Sequence, residues 1–246
     1  MKISVITATW NSALTVDEAI RSLITQDYPD IEYIIVDGAS TDATLDIVRR
    51  YGDRIAVVVS EKDKGIYDAL NKGISLATGD VVGFLHSDDL FADDRVLSRI
   101  AREFLKQSIG AVYGDLNYVS KSDTTKIVRR WVSGSFKRIK FRNGWMPPHP
   151  TFYMRREHYL SLGSFDLKFS IAADYDSMLR YLWTNSISAA YIPSVLIKMR
   201  VGGESNQSLL NILKKTKEDR VAMIGNGIPA LRGLLFKNLS KIQQFF

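Results

Sequence analysis

Four short apolar runs, each closed by small or polar residues and followed by helix-period sequence, constrain this chain most. Lys2 to Thr9, Tyr33 to Val36, Ile55 to Val59 and Val81 to Leu85 are rich in Val and Ile and have strand length. Near-continuous apolar character means burial on both faces, as in a sheet covered by helices. Between the runs, Leu14, Ile20, Leu23 and Ile24 recur at roughly helical spacing, and so do Ile66, Leu70, Ile74 and Ala77. Ile47 and Val48 mark a further helix, with Ser40 or Thr41 as its expected N-cap. This β-α-β-α-β-α-β alternation predicts a mostly parallel open sheet, so the fold class is α/β.

In such sheets ligands bind outside the carboxyl ends of the strands. The first run ends at Thr7-Ala8-Thr9, the second at Asp37, and the fourth at His86-Ser87-Asp88-Asp89. Adjacent carboxylates repel, so the last pair is costly unless it faces water or a cation. A hard divalent ion is typically held by one or two carboxylates plus the phosphate oxygens of a substrate. Asp88 and Asp89 therefore read as a metal–diphosphate site, or else as an acidic loop with an Asp capping a helix that starts around Ala92. An aspartate at a strand end, such as Asp37, can accept a hydrogen bond from a nucleobase or a ribose hydroxyl. No G-x-G-x-x-G or P-loop pattern follows any run, which argues against a dinucleotide enzyme and a Walker nucleotidase.

Together the segments SVITATWN, VDGASTDAT, EKDKGIYDALNKGI and HSDD resemble family 2 glycosyltransferases of the GT-A fold, over at least residues 1–200. The resemblance implies a Rossmann-like open sheet and inverting transfer of a sugar from a nucleoside diphosphate to an acceptor hydroxyl. It implies that Asp37 lies at the nucleobase and that Thr7, Thr9 and Asn11 belong to the first nucleotide-contacting loop. Lys64 would stand near the donor, Asp88 near the ribose, and Asp89 on a divalent metal, Mg²⁺ or Mn²⁺. The second-strand motif is a mild variant, Asp37-Gly38-Ala39-Ser40-Thr41-Asp42. The family's catalytic base, often preceded by a second acid, corresponds to Asp174 in Ala173-Asp174, with Asp176 as the alternative. On the residues alone Asp174 is equally suited to cap the helix that follows.

Beyond Gly110 the pattern changes. Ala111 to Val119 and Lys126 to Val132 are β-like and suit an antiparallel ribbon. Pro147, Pro148 and Pro150 stiffen the segment around His149, which is read either as a donor or metal contact or as a structural histidine. Phe152 to Leu162 and Asp174 to Trp183 look helical. The expected organisation is one GT-A domain over residues 1–205, a nucleotide-sugar half (1–120) with an acceptor-side half (121–205), then a helical extension over 206–246. Gly202-Gly203-Glu204-Ser205 is a candidate hinge or phosphate-facing turn.

Charge divides along the same line. Residues 1–120 hold 12 Lys/Arg against 19 Asp/Glu, whereas residues 121–246 hold 21 against 8. A basic second half suits an anionic partner, either phosphate, a membrane surface or nucleic acid. Nucleic acid is not expected, because that reading leaves the clustered acids unexplained. An acceptor on a lipid pyrophosphate would account for the basic half. It would also account for an amphipathic stripe of Leu231, Leu234, Leu235, Leu239, Ile242 and Phe245, which suits either a membrane interface or packing on the domain or a second subunit. The chain has no cysteine, which excludes disulfides and thiolate metal sites. With no signal-peptide core or membrane span in the sequence, a cytoplasmic enzyme, in peripheral contact with the membrane, is expected.

Overall fold

The computed structural model describes residues 1–202, 209–230 and 233. The stripe beginning at Leu231 and the residues Gly203, Glu204 and Ser205 lie outside that set.

The parallel half forms as expected. β1 (Ile3–Thr9), β2 (Ile31–Asp37), β3 (Val57–Ser60) and β4 (Val81–Phe84) lie parallel in the order β3-β2-β1-β4. Alternate side chains enter two cores, as the two-residue period of a strand requires. Val5, Tyr33 and Ile35 join the core of α1 (Val16–Ile24), α2 (Thr44–Arg49) and α4 (Val96–Phe104). Ile6, Ile34, Val36 and Phe84 enter the opposite core with α3 (Ile66–Leu76). A Cβ at Gly73 would stand 2.3 Å from Ile6 Cγ2, so this glycine lets α3 lie directly on β1. Leu14, expected on the first helical stripe, precedes α1 and is exposed.

The expected caps differ. Neither Ser40 nor Thr41 caps α2; the Asp42 carboxylate accepts the Thr44 N–H at 3.0 Å and does that work. The helix expected from Ala92 begins at Val96, because Leu90–Phe91 forms a short strand, β5, against a later one.

The second half is built on β6 (Ala111–Val119), which pairs antiparallel with β7 (Ile127–Trp131), the expected ribbon. Phe152 to Leu162 is not one helix. Tyr153–Arg155 forms β8, antiparallel to both β4 and β6, and only Arg156–Leu162 is helical (α5). Sheet pairing on both sides overrides local helical preference there. A further strand, β9 (Ala189–Arg200), runs parallel to β6. The register steps from Gly114↔Ile192 to Asp115↔Val195, so Pro193 and Ser194 fall in an irregularity where a missing N–H costs no ladder bond. α6 (Ala173–Met178) continues as a π-helical turn to Thr184. α7 (Leu209–Gly225) lies against α6 and buries Ala222 and Met223 in the α3-side core. Among the described residues no helix is long and apolar enough to cross a membrane.

Candidate active site

The carboxyl ends of β1, β2 and β4 meet the start of α3, the start of α6 and the end of β9. On the β1–β2 side the expected nucleotide contacts are largely committed to one another. Thr7 is buried and donates to Leu85 O at 2.7 Å. Asp37 is buried and accepts from Thr9 Oγ1, Ser40 Oγ, the Ser40 N–H and Ser60 Oγ. Burial alone would raise its pKa, but these donors outweigh burial and hold the carboxyl below its ordinary value. With two bonds on each oxygen, Asp37 has no acceptor left for a base. Asn11 is exposed, with φ 47°, and its Oδ1 accepts the Thr41 N–H at 2.9 Å, tying the two loops together. Lys64 is exposed, and among the described residues only its backbone N–H is engaged, by Asp68 at 3.0 Å.

Asp63 was missed in the sequence. Its Oδ1 accepts the Gly65 N–H at 2.8 Å, and its Oδ2 lies where a Cβ on Gly38 would stand, 2.5 Å away. Glycine at position 38 therefore leaves room for this half-buried carboxylate at the floor of the cleft. The signal available was its place directly before the Lys64-Gly65 pair.

The acids after β4 are unequal. Asp88 is half-buried, and its carboxylate makes no hydrogen bond among the described residues. Asp89 is 1% exposed; Oδ1 accepts the Arg200 N–H at 3.3 Å and Oδ2 is buried with no partner. Burial first, and the Asp88 charge second, push the Asp89 pKa well above the usual carboxylate range. Arg200, at the end of β9, holds this loop: Nη1 donates to Asp88 O and Nη2 to Glu18, each at 2.5 Å. A lone arginine gave no sequence cue; its role comes from the pairing of β9 beside β6.

Across the cleft, Asp174 is half-buried at the second residue of α6. It is not the N-cap. Its Oδ1 accepts the Tyr175 N–H at 2.8 Å and lies 3.3 Å from the Tyr67 hydroxyl. Capping of this segment falls to Glu218 on α7, whose carboxylate accepts the backbone N–H groups of Ser170, Ile171 and Ala172. Asp176 points away, to Asn226 and Arg180.

Two imidazoles complete the wall. The His86 and His149 rings are 5.4 Å apart, and His149 also packs on Phe84 and Phe165. Burial pushes His149 down to about 4, against the pull of Asp174. His86 is also lowered by burial, although both Asp88 and Asp174 act to raise it. His149 Nε2 is buried with no partner among the described residues, so packing and not a hydrogen bond at that nitrogen holds the ring. Among the described residues no three His, Cys, Asp or Glu converge as a ready-made metal cage, so Asp88, Asp89 and His149 are not one.

Part of the basic run is hydrogen-bonded back to the chain. Arg138 donates to Trp183 O, and Lys140 Nζ donates to Ser135 O at 2.8 Å. Its aromatic residues are packed: Phe141 is buried against Trp145, Phe136 packs on Trp145, and Trp131 stacks on Tyr118. A nucleic-acid surface would need those rings free.

Residues 4–163 match the family described as glycosyl transferase family 2. A PGL/p-HBAD biosynthesis glycosyltransferase of Mycobacterium tuberculosis (strain ATCC 25177 / H37Ra) is 31% identical over 211 residues, 82% of this chain and 78% of that protein. An uncharacterized glycosyltransferase of Nostoc sp. is 34% identical over 128 residues, 51% of this chain and 39% of that one. Among solved structures, S. aureus TarS 1-349 in complex with UDP superposes with a TM-score of 0.69 at 20% identity, covering 96% of this chain and 70% of that one. The mannosyltransferase PcManGT from Pyrobaculum calidifontis, in complex with GDP-Man and Mn²⁺, gives 0.71 at 20% identity, covering 99% and 72%. The α/β sheet is thus of the expected GT-A kind.

Proposed function

This chain belongs to glycosyltransferase family 2, and from that premise we propose inverting transfer of a sugar from a nucleoside-diphosphate donor to an acceptor hydroxyl, with Asp174 as general base. The observation that carries the reading is that Asp174, from the acceptor-side half, lies 3.3 Å from the hydroxyl of Tyr67 on α3, so its carboxylate stands against the donor-side half of the chain.

Asp174 suits a base. Tyr67 and the Tyr175 N–H hold Oδ1, which leaves Oδ2 to take the proton. The acceptor oxygen attacks the anomeric carbon, the bond from that carbon to the diphosphate oxygen breaks, and the electron pair leaves with the nucleoside diphosphate. The acceptor proton passes to Asp174. A single displacement inverts the anomeric carbon. Holding donor and acceptor together supplies about 7–11 kcal/mol of the barrier reduction.

A divalent cation fits the acid pair. Asp88 presents a carboxylate with no hydrogen bond among the described residues, and Asp89 behind it has a buried oxygen without a partner and a pKa raised by burial. Asp88 would be the direct ligand, and the cation's charge would favour the ionised form of Asp89 behind it. The cation would take its other ligands from water and the donor's diphosphate. Bound there, it would stabilise negative charge on the leaving diphosphate. This assignment moves the leading ligand from Asp89 to Asp88, because no surface of Asp89 Oδ2 is open to the cleft. Asp63, rather than the saturated Asp37, is the carboxylate open to a nucleobase N–H.

For the acceptor we propose a lipid-pyrophosphate-linked saccharide of envelope polysaccharide assembly, met by a cytoplasmic enzyme at the membrane's inner face. The basic second half supports this reading. Release of free nucleoside diphosphate from a panel of UDP- and GDP-sugars, with the product's anomeric configuration read by NMR, tests the reaction. Acceptor-dependent release with an inverted product is expected. Retention, or no release from any donor, overturns it.

A further inference from the structure

We propose that the solvent face of α7, continued by the Arg138–Asn143 turn, is a docking surface for an anionic lipid bilayer. Leu213, Lys217, Arg220, Val221 and Ile224 fall on one side of the helix, spaced three, four, seven, eight and eleven residues apart, with Lys214 at its margin. All are exposed, Leu213 by 67% and Ile224 by 58%. The two acids of the helix turn the other way. Asp219 is buried, and Glu218 is bonded to the chain at Ser170–Ala172. The outward face therefore mixes branched apolar side chains with three basic ones and carries no acid.

The face does not stop at the helix end. Trp183 Nε1 donates to Asn226 O just past α7, Arg138 donates to Trp183 O, and the Arg142 guanidinium lies 5.5 Å from the Trp183 ring. Between those two arginines Ile139 is 58% exposed. Arg138, Ile139 and Arg142 thus stand beside the C-terminal end of α7, joined to it through Trp183, and add basic and apolar side chains there.

Charge complementarity selects the occupant. Apolar side chains set among lysine and arginine match an interface in which alkyl groups enter the acyl boundary while cations meet lipid phosphates. The proposal deepens the acceptor reading by naming the surface that would meet a lipid-borne acceptor. The opposite face of the same helix holds the segment that leads into Asp174, so docking would set the base one helix away from the bilayer. Because it concerns binding, it stands or falls separately from turnover.

The test is co-sedimentation of the full chain with phosphatidylcholine vesicles, with and without phosphatidylglycerol, beside donor turnover on a water-soluble acceptor. Binding is expected only with phosphatidylglycerol and should weaken with added salt. The triple variant K214Q/K217Q/R220Q should lose about fivefold in partition per charge, on the order of 10²-fold in all. L213S/I224S should also weaken binding, with melting temperature and soluble-acceptor turnover unchanged in both. Equal binding to both vesicle types, or to neither, overturns the proposal. So does a wild-type dimer in light scattering that L213S/I224S converts to monomer, since the face would then be a contact between copies.

Discussion

The Tyr67 hydroxyl donates to Ile171 O at 2.7 Å and stands 3.3 Å from Asp174 Oδ1, joining the first turn of α3 to the residue proposed as base. Burial, with the Asp174 charge adding to it, keeps this phenol protonated at any working pH, so it remains a donor. The two residues come from opposite halves of the chain. Tyr67 is thus a positioning residue: it fixes where the carboxylate points.

Replacing Tyr67 with Phe keeps the ring against Phe165 and removes only the hydroxyl. The one hydroxyl proton is shared between Ile171 O and Asp174 Oδ1, so its loss costs about 0.5–1.5 kcal/mol at the carboxylate, and turnover should fall roughly 2- to 10-fold with the donor KM little changed. Steady-state kinetics check this; an equal rise in donor KM would place Tyr67 on the donor instead.

Asp174→Asn retains an oxygen for the Tyr175 N–H and should leave the melting temperature nearly unaltered. The lost proton acceptor should lower turnover by about 10²–10⁴-fold. Differential scanning calorimetry beside single-turnover rates separates the two effects. A large drop in melting temperature with full activity in the folded fraction would make the residue structural.

Asp88→Asn should abolish cation-dependent turnover while the fold stays intact, because among the described residues this side chain makes no hydrogen bond that would be lost. Asp89→Asn should act less on the cation and more on the loop held by Arg200. Titrating turnover with Mn²⁺ compares them, and a larger shift in the half-saturating cation concentration for Asp89→Asn would reverse the order.

Asp37 predicts acid sensitivity. Its folded pKa lies below the ordinary 3.8, so the unfolded chain binds more protons in the acid range. The contribution is full above that ordinary value and is lost as pH falls through the folded one. Asp37→Asn should cost about 1–3 kcal/mol at neutral pH, since an amide cannot accept from all four donors. The variant should show a flatter loss of melting temperature in acid, and parallel pH curves would refute the assignment.

The parallel half was legible because each of its strands is a continuous apolar run ended by polar residues, a pattern that depends only on neighbouring sequence. β8 and β9 were not. Tyr153–Arg155 is three residues long and is a strand only because β4 and β6 flank it, and β9 contains Pro193, which an irregularity in register tolerates. The site divides the same way. Motifs single out Asp37, Asp88, Asp89 and Asp174 as candidates, but the partners around each could not be read from them. Saturation of Asp37 by Ser40 and Ser60, burial of Asp89 under Arg200, and bracing of Asp174 by Tyr67 all arise from tertiary contacts.

β4 is held by β1 on one side and by β8 on the other, and β8 is made much later in the chain. During synthesis, Val81 and Val82 must wait at an open sheet edge until Met154 and Arg155 leave the ribosome. An unpaired, wholly apolar edge is a template for pairing between nascent chains. Substitutions that weaken β8 should therefore reduce the yield of soluble protein before they reduce the activity of the molecules that fold.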